Sequence, residues 1–118
     1  MSLISTAQLH LLERYMDLTA TRQALLVSNV ANVDTPGYHT RDIDFTGELV
    51  RATQEEDSAP TEPFVREVHG LNARPDGNNV SVDREGLLLA QVQLQFNAAS
   101  ELVKDQFKRI DMAIKSGG

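Results

Sequence analysis

The side chains able to do chemistry are few and poorly spaced for it. His10, His39 and His69 are the only imidazoles, and none is followed by a second histidine three or four residues on, the spacing that turns two rings toward one metal from a helix face. The absence of cysteine excludes disulfides, thiolate metal sites and a thiol nucleophile. Asn32-x-Asp34-x-Pro36-Gly37 begins like a calcium-binding EF-hand loop, but its twelfth position is Ile43 where a bidentate glutamate is required, and the loop starting at Asp76 fails likewise at Leu87. No glycine-rich phosphate loop, nucleophile elbow or recognisable pair of catalytic carboxylates is present. Glu55-Glu56-Asp57 reads as a solvated acidic loop, and Asn79-Val80-Ser81, although it satisfies the glycosylation sequon, reads as a helix cap. The chain is read as a non-enzyme with no cofactor and no metal.

The polar residues that are well spaced are asparagines. In Ser28-Asn29-Val30-Ala31-Asn32-Val33-Asp34-Thr35-Pro36-Gly37-Tyr38, Asn29 and Asn32 stand three apart on one helix face, placed to bond carbonyls that a last helical turn leaves unpaired. Pro36 lacks a donor and Gly37 accepts positive φ, so the helix stops. Thr35-Pro36-Gly37-Tyr38 fits a type II turn.

Two long helices must carry that bend. The first is predicted from about Ser5 to Asn32, roughly 42 Å long, with Ser5 and Gln8 as a capping box. Ile4, Leu11, Leu18 and Leu25 recur every seven residues, and Leu12, Tyr15, Leu26 and Val30 widen the stripe. The second is predicted from about Val82 to Lys115, roughly 50 Å long, capped by Ser81 or Asp83. Its Leu89, Val92, Phe96, Ala99, Val103, Ile110 and Ala113 alternate three and four apart, broken only at Gln106, a heptad seam that predicts left-handed coiled-coil pairing. Being longer, this helix must overhang the first or kink.

The stretch between them is weakly patterned. His39 to Gly47, where Ile43 and Phe45 alternate with Asp42 and Asp44, reads as an extended strip docking two apolar side chains. Arg51 to Gly70 lacks an apolar period and reads as a loop, mobile in the free subunit, with Phe64, Val65 and Val68 available for local docking or a short hairpin arm. Asp76-Gly77-Asn78-Asn79 is a turn cluster. The expected fold is mainly α: residues 1–38 form a helix and turn, 39–80 an extended, largely irregular and partly mobile central segment, and 81–118 a heptad helix. Together they make one domain whose terminal helices pair as an antiparallel coiled coil.

Composition agrees. At 118 residues, 41% hydrophobic, 5% aromatic and without tryptophan, the chain suits helix packing better than an aromatic pocket. Net charge is −6, with residues 1–50 and 51–80 each holding three Arg against six acids and 81–118 five bases against five acids. No basic face is clustered for nucleic acid, and no apolar run approaches the roughly 20 residues that span a bilayer. Met1-Ser2-Leu3-Ile4-Ser5 lacks the basic region and cleavage site of a secretory signal, which from the residues alone reads as cytoplasmic.

Asp34-Thr35-Pro36-Gly37-Tyr38 with Arg41-Asp42-Ile43-Asp44-Phe45, and again Asp76-Gly77-Asn78-Asn79-Val80 before an acidic helix start, resemble the flagellar axial proteins. The resemblance is closest to the proximal rod subunits of the bacterial flagellar basal body, the FlgB type, and spans about two thirds of the chain. It implies a structural subunit of the drive shaft, exported uncleaved through the flagellum's type III apparatus and placed in the periplasmic rod, which overrides the cytoplasmic reading. It implies as partners the other rod subunits, the adaptor joining rod to membrane ring, the rod cap and the export gate. Phe45-Thr46-Gly47-Glu48-Leu49 looks like the element by which such subunits are recognised at the gate, with Phe45 and Leu49 as its apolar pair. Local packing explains the same spacing.

Function then follows from packing. Leu11, Leu18 and Leu25 are expected to pack against Leu89, Phe96, Val103 and Ile110, within a subunit or across a boundary. Asn29, Asn32, Pro36, Gly37 and Tyr38 are expected to shape a turn that meets a neighbouring subunit; ordinary intrachain core and capping would use the same residues. Two different contact surfaces make an open helical assembly rather than a closed dimer. The alternative is a soluble helical adaptor or regulatory protein that binds an amphipathic helix.

Overall fold

The computed structural model describes residues 5–54 and 62–117. Helix α1 runs Thr6–Ala31, strand β1 Arg41–Ile43, helix α2 Phe45–Gln54, strand β2 Val65–Glu67 and helix α3 Val82–Gly117. The predicted boundaries of both long helices hold because they rest on local chemistry. Ser5 Oγ accepts from the Gln8 amide at 3.2 Å and Gln8 Oε1 accepts from the Ser5 amide at 2.8 Å, closing the capping box. At the other end Asn32 caps α1, and the Tyr38 amide donates to Thr35 carbonyl at 3.2 Å with Gly37 at φ 75°. That is the type II turn the proline and glycine required. Ser81 caps α3, its Oγ accepting from the Arg84 amide at 3.2 Å.

The two long helices run antiparallel, the C-terminal end of α1 lying against the N-terminal end of α3. Leu18 and Leu26 of α1 and Val92 and Ala99 of α3 are buried to 2% exposure or less and form the seam. Leu18, Val92 and Ala99 stand on the expected heptad lines and Leu26 on the widened stripe; of the other expected seam residues, Leu25, Leu89, Phe96 and Val103 are half-buried, while Leu11 and Ile110 remain 37% and 40% exposed. An α-helix of 3.6 residues per turn drifts by about 20° per heptad against a strict 3.5 repeat, so seven-residue counting alone does not rank two adjacent apolar positions. With 36 residues against 26, α3 outruns α1, as expected from their lengths. The described residues extend 68 × 27 × 17 Å.

The central segment departs from expectation. The strip is extended only to Ile43, and Phe45 opens α2, a ten-residue helix that the alternation of Ile43 and Phe45 concealed. Asp44 caps it, its carbonyl accepting from the Glu48 amide at 2.9 Å and its Oδ1 from the Gly47 amide at 3.2 Å. The reading of Arg51 to Gly70 as loop is corrected at both ends. Residues 51–54 close α2, and Val65–Glu67 pairs antiparallel with β1 in the register Arg41 to Glu67 and Ile43 to Val65. The expected hairpin arm is thus a two-stranded ladder closed on β1. The acidic loop Glu55-Glu56-Asp57 and seam residue Ile4 lie outside the described residues.

Candidate assembly interface

The polar chemistry of the chain is concentrated where α1, β1 and α3 converge. Asn29 is fully buried and uses every hydrogen-bonding group it has. Its Nδ2 donates to the Arg41 carbonyl at 2.8 Å and to Glu85 Oε2 at 3.0 Å. Its Oδ1 accepts from the Arg41 amide at 3.1 Å and from the Tyr38 hydroxyl at 3.0 Å. Asn29 therefore does not cap its own helix, as expected from sequence; it ties α1 to β1 and α3. Asn32 does cap, donating to the Ser28 carbonyl at 2.8 Å.

Beyond Asn29 the network is ionic. Glu85, fully buried, accepts from Arg84 Nη1 at 2.6 Å, and Arg84 Nη2 donates to Asp42 Oδ2 at 3.2 Å. Asp42 is also held by a two-point contact from Arg22, with Nε and Nη2 both at 3.0 Å, and its Oδ1 accepts from the Ile43 amide at 2.8 Å. Two carboxylates and two guanidiniums thus neutralise one another in a site that excludes most water. Such buried ion networks contribute little net stability over an apolar core, yet removing one partner costs about 3–5 kcal/mol, so they penalise any other register. An open groove of about 540 Å3 borders the network; of its charged lining, Arg22, Asp42 and Arg84 are already bound to one another, while Asp44, Arg66 and Glu67 form the rest.

A second polar node joins the two turns. Asn78, fully buried, donates through Nδ2 to the carbonyls of Asn32 and Thr35, both at 2.8 Å, while its Oδ1 accepts from the Val80 amide at 2.9 Å. The Gly37 amide donates to the Asp76 carbonyl at 2.9 Å, and the Asn79 amide to the Tyr38 carbonyl at 3.2 Å. Gly77 sits at φ 87° with its Cβ position 3.4 Å from Gly37 Cα. The Asp76–Asn79 turn therefore clasps the Thr35–Tyr38 turn, and the two motif stretches separated in sequence form one unit. Pro36 and Gly37 stay exposed at its surface, and Tyr38 is half-buried with Arg41 over its ring at 6.0 Å.

Phe45 and Leu49 are half-buried on α2, the Phe45 ring meeting Tyr15 edge-on at 5.2 Å. Between them Glu48 is buried, accepting from Arg51 at 2.5 Å and from the Phe64 amide at 3.0 Å. His39 pairs with Glu67 at 3.1 Å on the surface, and no group of three His, Cys or carboxylate side chains among the described residues is placed to hold a metal ion. Among them, too, no helix is long and apolar enough to cross a membrane. Sequence reasoning missed Arg22, Asp42, Glu48, Asn78, Arg84 and Glu85. The available signal was Glu85, seven residues before Val92 and fourteen before Ala99, which puts it on the buried seam.

An elongated helix pair, locked in register by buried polar side chains and bare on its outer apolar face, defines a structural assembly subunit. The chain is similar to the flagellar basal body rod protein FlgB of Salmonella typhimurium, 33% identical over 132 aligned positions that cover 95% of each chain. It is likewise similar to the FlgB protein of Escherichia coli strain K12, 31% identical over 94% of this chain and 95% of the relative. The chain belongs to the FlgB family of flagellar basal body rod proteins, structural subunits of the basal-body rod. A more distant relative, the FlgB protein of Borrelia hermsii, is 29% identical over 89% of this chain. No family model matches the chain.

Proposed function

We propose that the chain works by being built into the proximal rod: exported through the flagellar type III apparatus without a cleaved signal, it packs in the periplasm into the shaft that carries torque from the membrane ring to the distal rod. The observation that carries this reading is the apolar surface left on α3, where Leu87, Leu94, Phe107 and Ile114 are each at least 66% exposed while the polar groups of the hub are satisfied internally. Exposed apolar rows of this kind mark interaction surfaces. Many close-packed contacts of this sort resist twisting, because dense interiors transmit strain. The partners are the other rod subunits, the adaptor at the membrane ring, the rod cap and the export gate, with self-association into a helical assembly and neither nucleic acid nor membrane insertion. Phe45 and Leu49 serve the gate while the chain is unfolded and pack on α1 afterwards. The assembly interface is drawn from Leu11, Ile110, Pro36, Gly37 and Tyr38 at the surface, with Leu18, Leu25, Asn29, Asn32, Leu89, Phe96 and Val103 shaping it from beneath.

Deleting Lys104 to Gly118 and scoring motility, secretion and rod completion tests the reading. Loss of rod completion with secretion retained is the expected result. Normal swimming would show that the terminal seam is not an assembly element, and a cooperative, concentration-independent monomer in solution would favour a soluble adaptor.

A further inference from the structure

Both long helices carry a second stripe that the fold leaves bare. On α3, Leu87 and Leu94 lie on the side away from the buried Glu85, Val92 and Ala99, and Ala98 and Leu102 continue their stripe along the flank between, with Leu87 72%, Leu94 71% and Leu102 55% exposed. On α1, Glu13, Asp17, Ala20, Ala24, Val27 and Ala31 recur four and three apart, and all six are exposed. Because the seam faces of the two helices meet, these outer stripes point away from each other on opposite sides of the molecule. One is bulky and the other small, so they differ in shape as well as in position.

We propose that the leucine face of α3 docks antiparallel on the outer face of α1 of a second copy of this chain. The inference rests on the reading of the chain as an assembling subunit and names the faces that meet. Leucine ridges seat closely where the facing helix presents small side chains, as α1 does from Ala20 to Ala31. Charge fixes the direction. The side chains of Glu13 and Asp17 have no partner within the described residues, and neither has Lys108, whereas Glu101 and Asp105 beside it already hold Lys104 at 3.5 Å and Arg109 at 2.9 Å. Fourteen residues separate Leu94 from Lys108, and fourteen separate Val27 from Glu13. With Leu94 over Val27 and the helices antiparallel, Lys108 stands level with Glu13 and Leu102 beside Ala20. A parallel arrangement carries Lys108 past Ala31 and away from both acids. Since the two faces differ, each copy keeps one of each free, and the contact repeats as an open chain rather than closing as a dimer.

Cysteine cross-linking of the full-length chain tests this without background, as the native chain has no cysteine. Purified chains carrying Val27→Cys, Leu94→Cys or both are concentrated and oxidised, with light scattering of the unsubstituted chain followed alongside. The expected result is a disulfide ladder of trimers and above from the double variant, mixed dimers when the two single variants are combined, and little dimer from either alone. Lys108→Glu should weaken the ladder severalfold, and Glu13→Lys with Asp17→Lys should restore it. If the unsubstituted chain assembles but the double variant gives no ladder, or Leu94→Cys alone dimerises as strongly as the mixture, the docking is overturned while the assembly reading stands. If the chain stays monomeric at every concentration and no ladder forms, both fall.

Discussion

Asn29 on α1 and Glu85 on α3, 56 residues apart in sequence, share a 3.0 Å hydrogen bond between two fully buried side chains. The bond fixes which turn of α1 meets which turn of α3, because a slip by one turn strands a carboxylate, an amide and a guanidinium without water. Asn29→Ala leaves a Glu85 oxygen, the Tyr38 hydroxyl and the Arg41 peptide short of partners, at about 1–3 kcal/mol for each buried group so stranded and more for a charged one. Equilibrium urea unfolding should show a loss of about 3 kcal/mol or more. Asn29→Asp should be at least as harmful, since a second carboxylate then faces Glu85 in a dry site. A wild-type midpoint for either variant would mean the network does not hold the helices.

How much of this was legible depends on the range of the physics involved. Caps and turns at Ser5, Gly37 and Ser81 were readable because each is decided within four residues. Leu18, Val92 and Ala99 were readable from the heptad lines, whereas Leu25 and Leu26 are both apolar and only the partner helix chooses between them. Helix α2 was hidden because Ile43 and Phe45 mimic a strand while Asp44, between them, is the cap. Glu85 was marked only by its heptad spacing to Val92 and Ala99, and Asp42 by nothing local. A charged side chain defaults to the surface, and only the long-range partners Asn29, Arg22 and Arg84 make burial tolerable.

The seam and the outer face of α3 should separate cleanly by substitution. Leu18→Ala and Leu26→Ala remove fully buried side chains and should each cost about 2–5 kcal/mol in urea unfolding. Leu94→Ala, at 71% exposure, should stay within about 0.5 kcal/mol of wild type, yet impair rod completion in complemented cells. Equal losses of stability at Leu18 and Leu94 would show that the outer face is core.

Two glycines should respond to alanine with opposite signs. Gly77 holds φ 87° in the turn that grips Gly37, where a Cβ is strained, and Gly77→Ala should destabilise by about 1 kcal/mol. Gly86 lies inside α3 at no positive φ with open space at its Cβ position, and Gly86→Ala should stabilise by about 0.5–1 kcal/mol. Urea midpoints of the two variants check both signs.

Phe45 is asked to do two things, and Tyr15 allows them to be told apart. Their edge-on contact at 5.2 Å contributes about 0.5–1.5 kcal/mol beyond area burial, so Tyr15→Leu and Phe45→Ala both weaken the packing of α2 on α1. Only Phe45→Ala removes the ring that the export gate is proposed to read in the unfolded chain. Secretion of Tyr15→Leu should therefore match wild type despite a lowered melting temperature, whereas Phe45→Ala should be secreted severalfold less. Equal secretion of the two variants would reduce Phe45 to a packing residue, because loosening a folded contact does not hinder a chain that passes the gate unfolded.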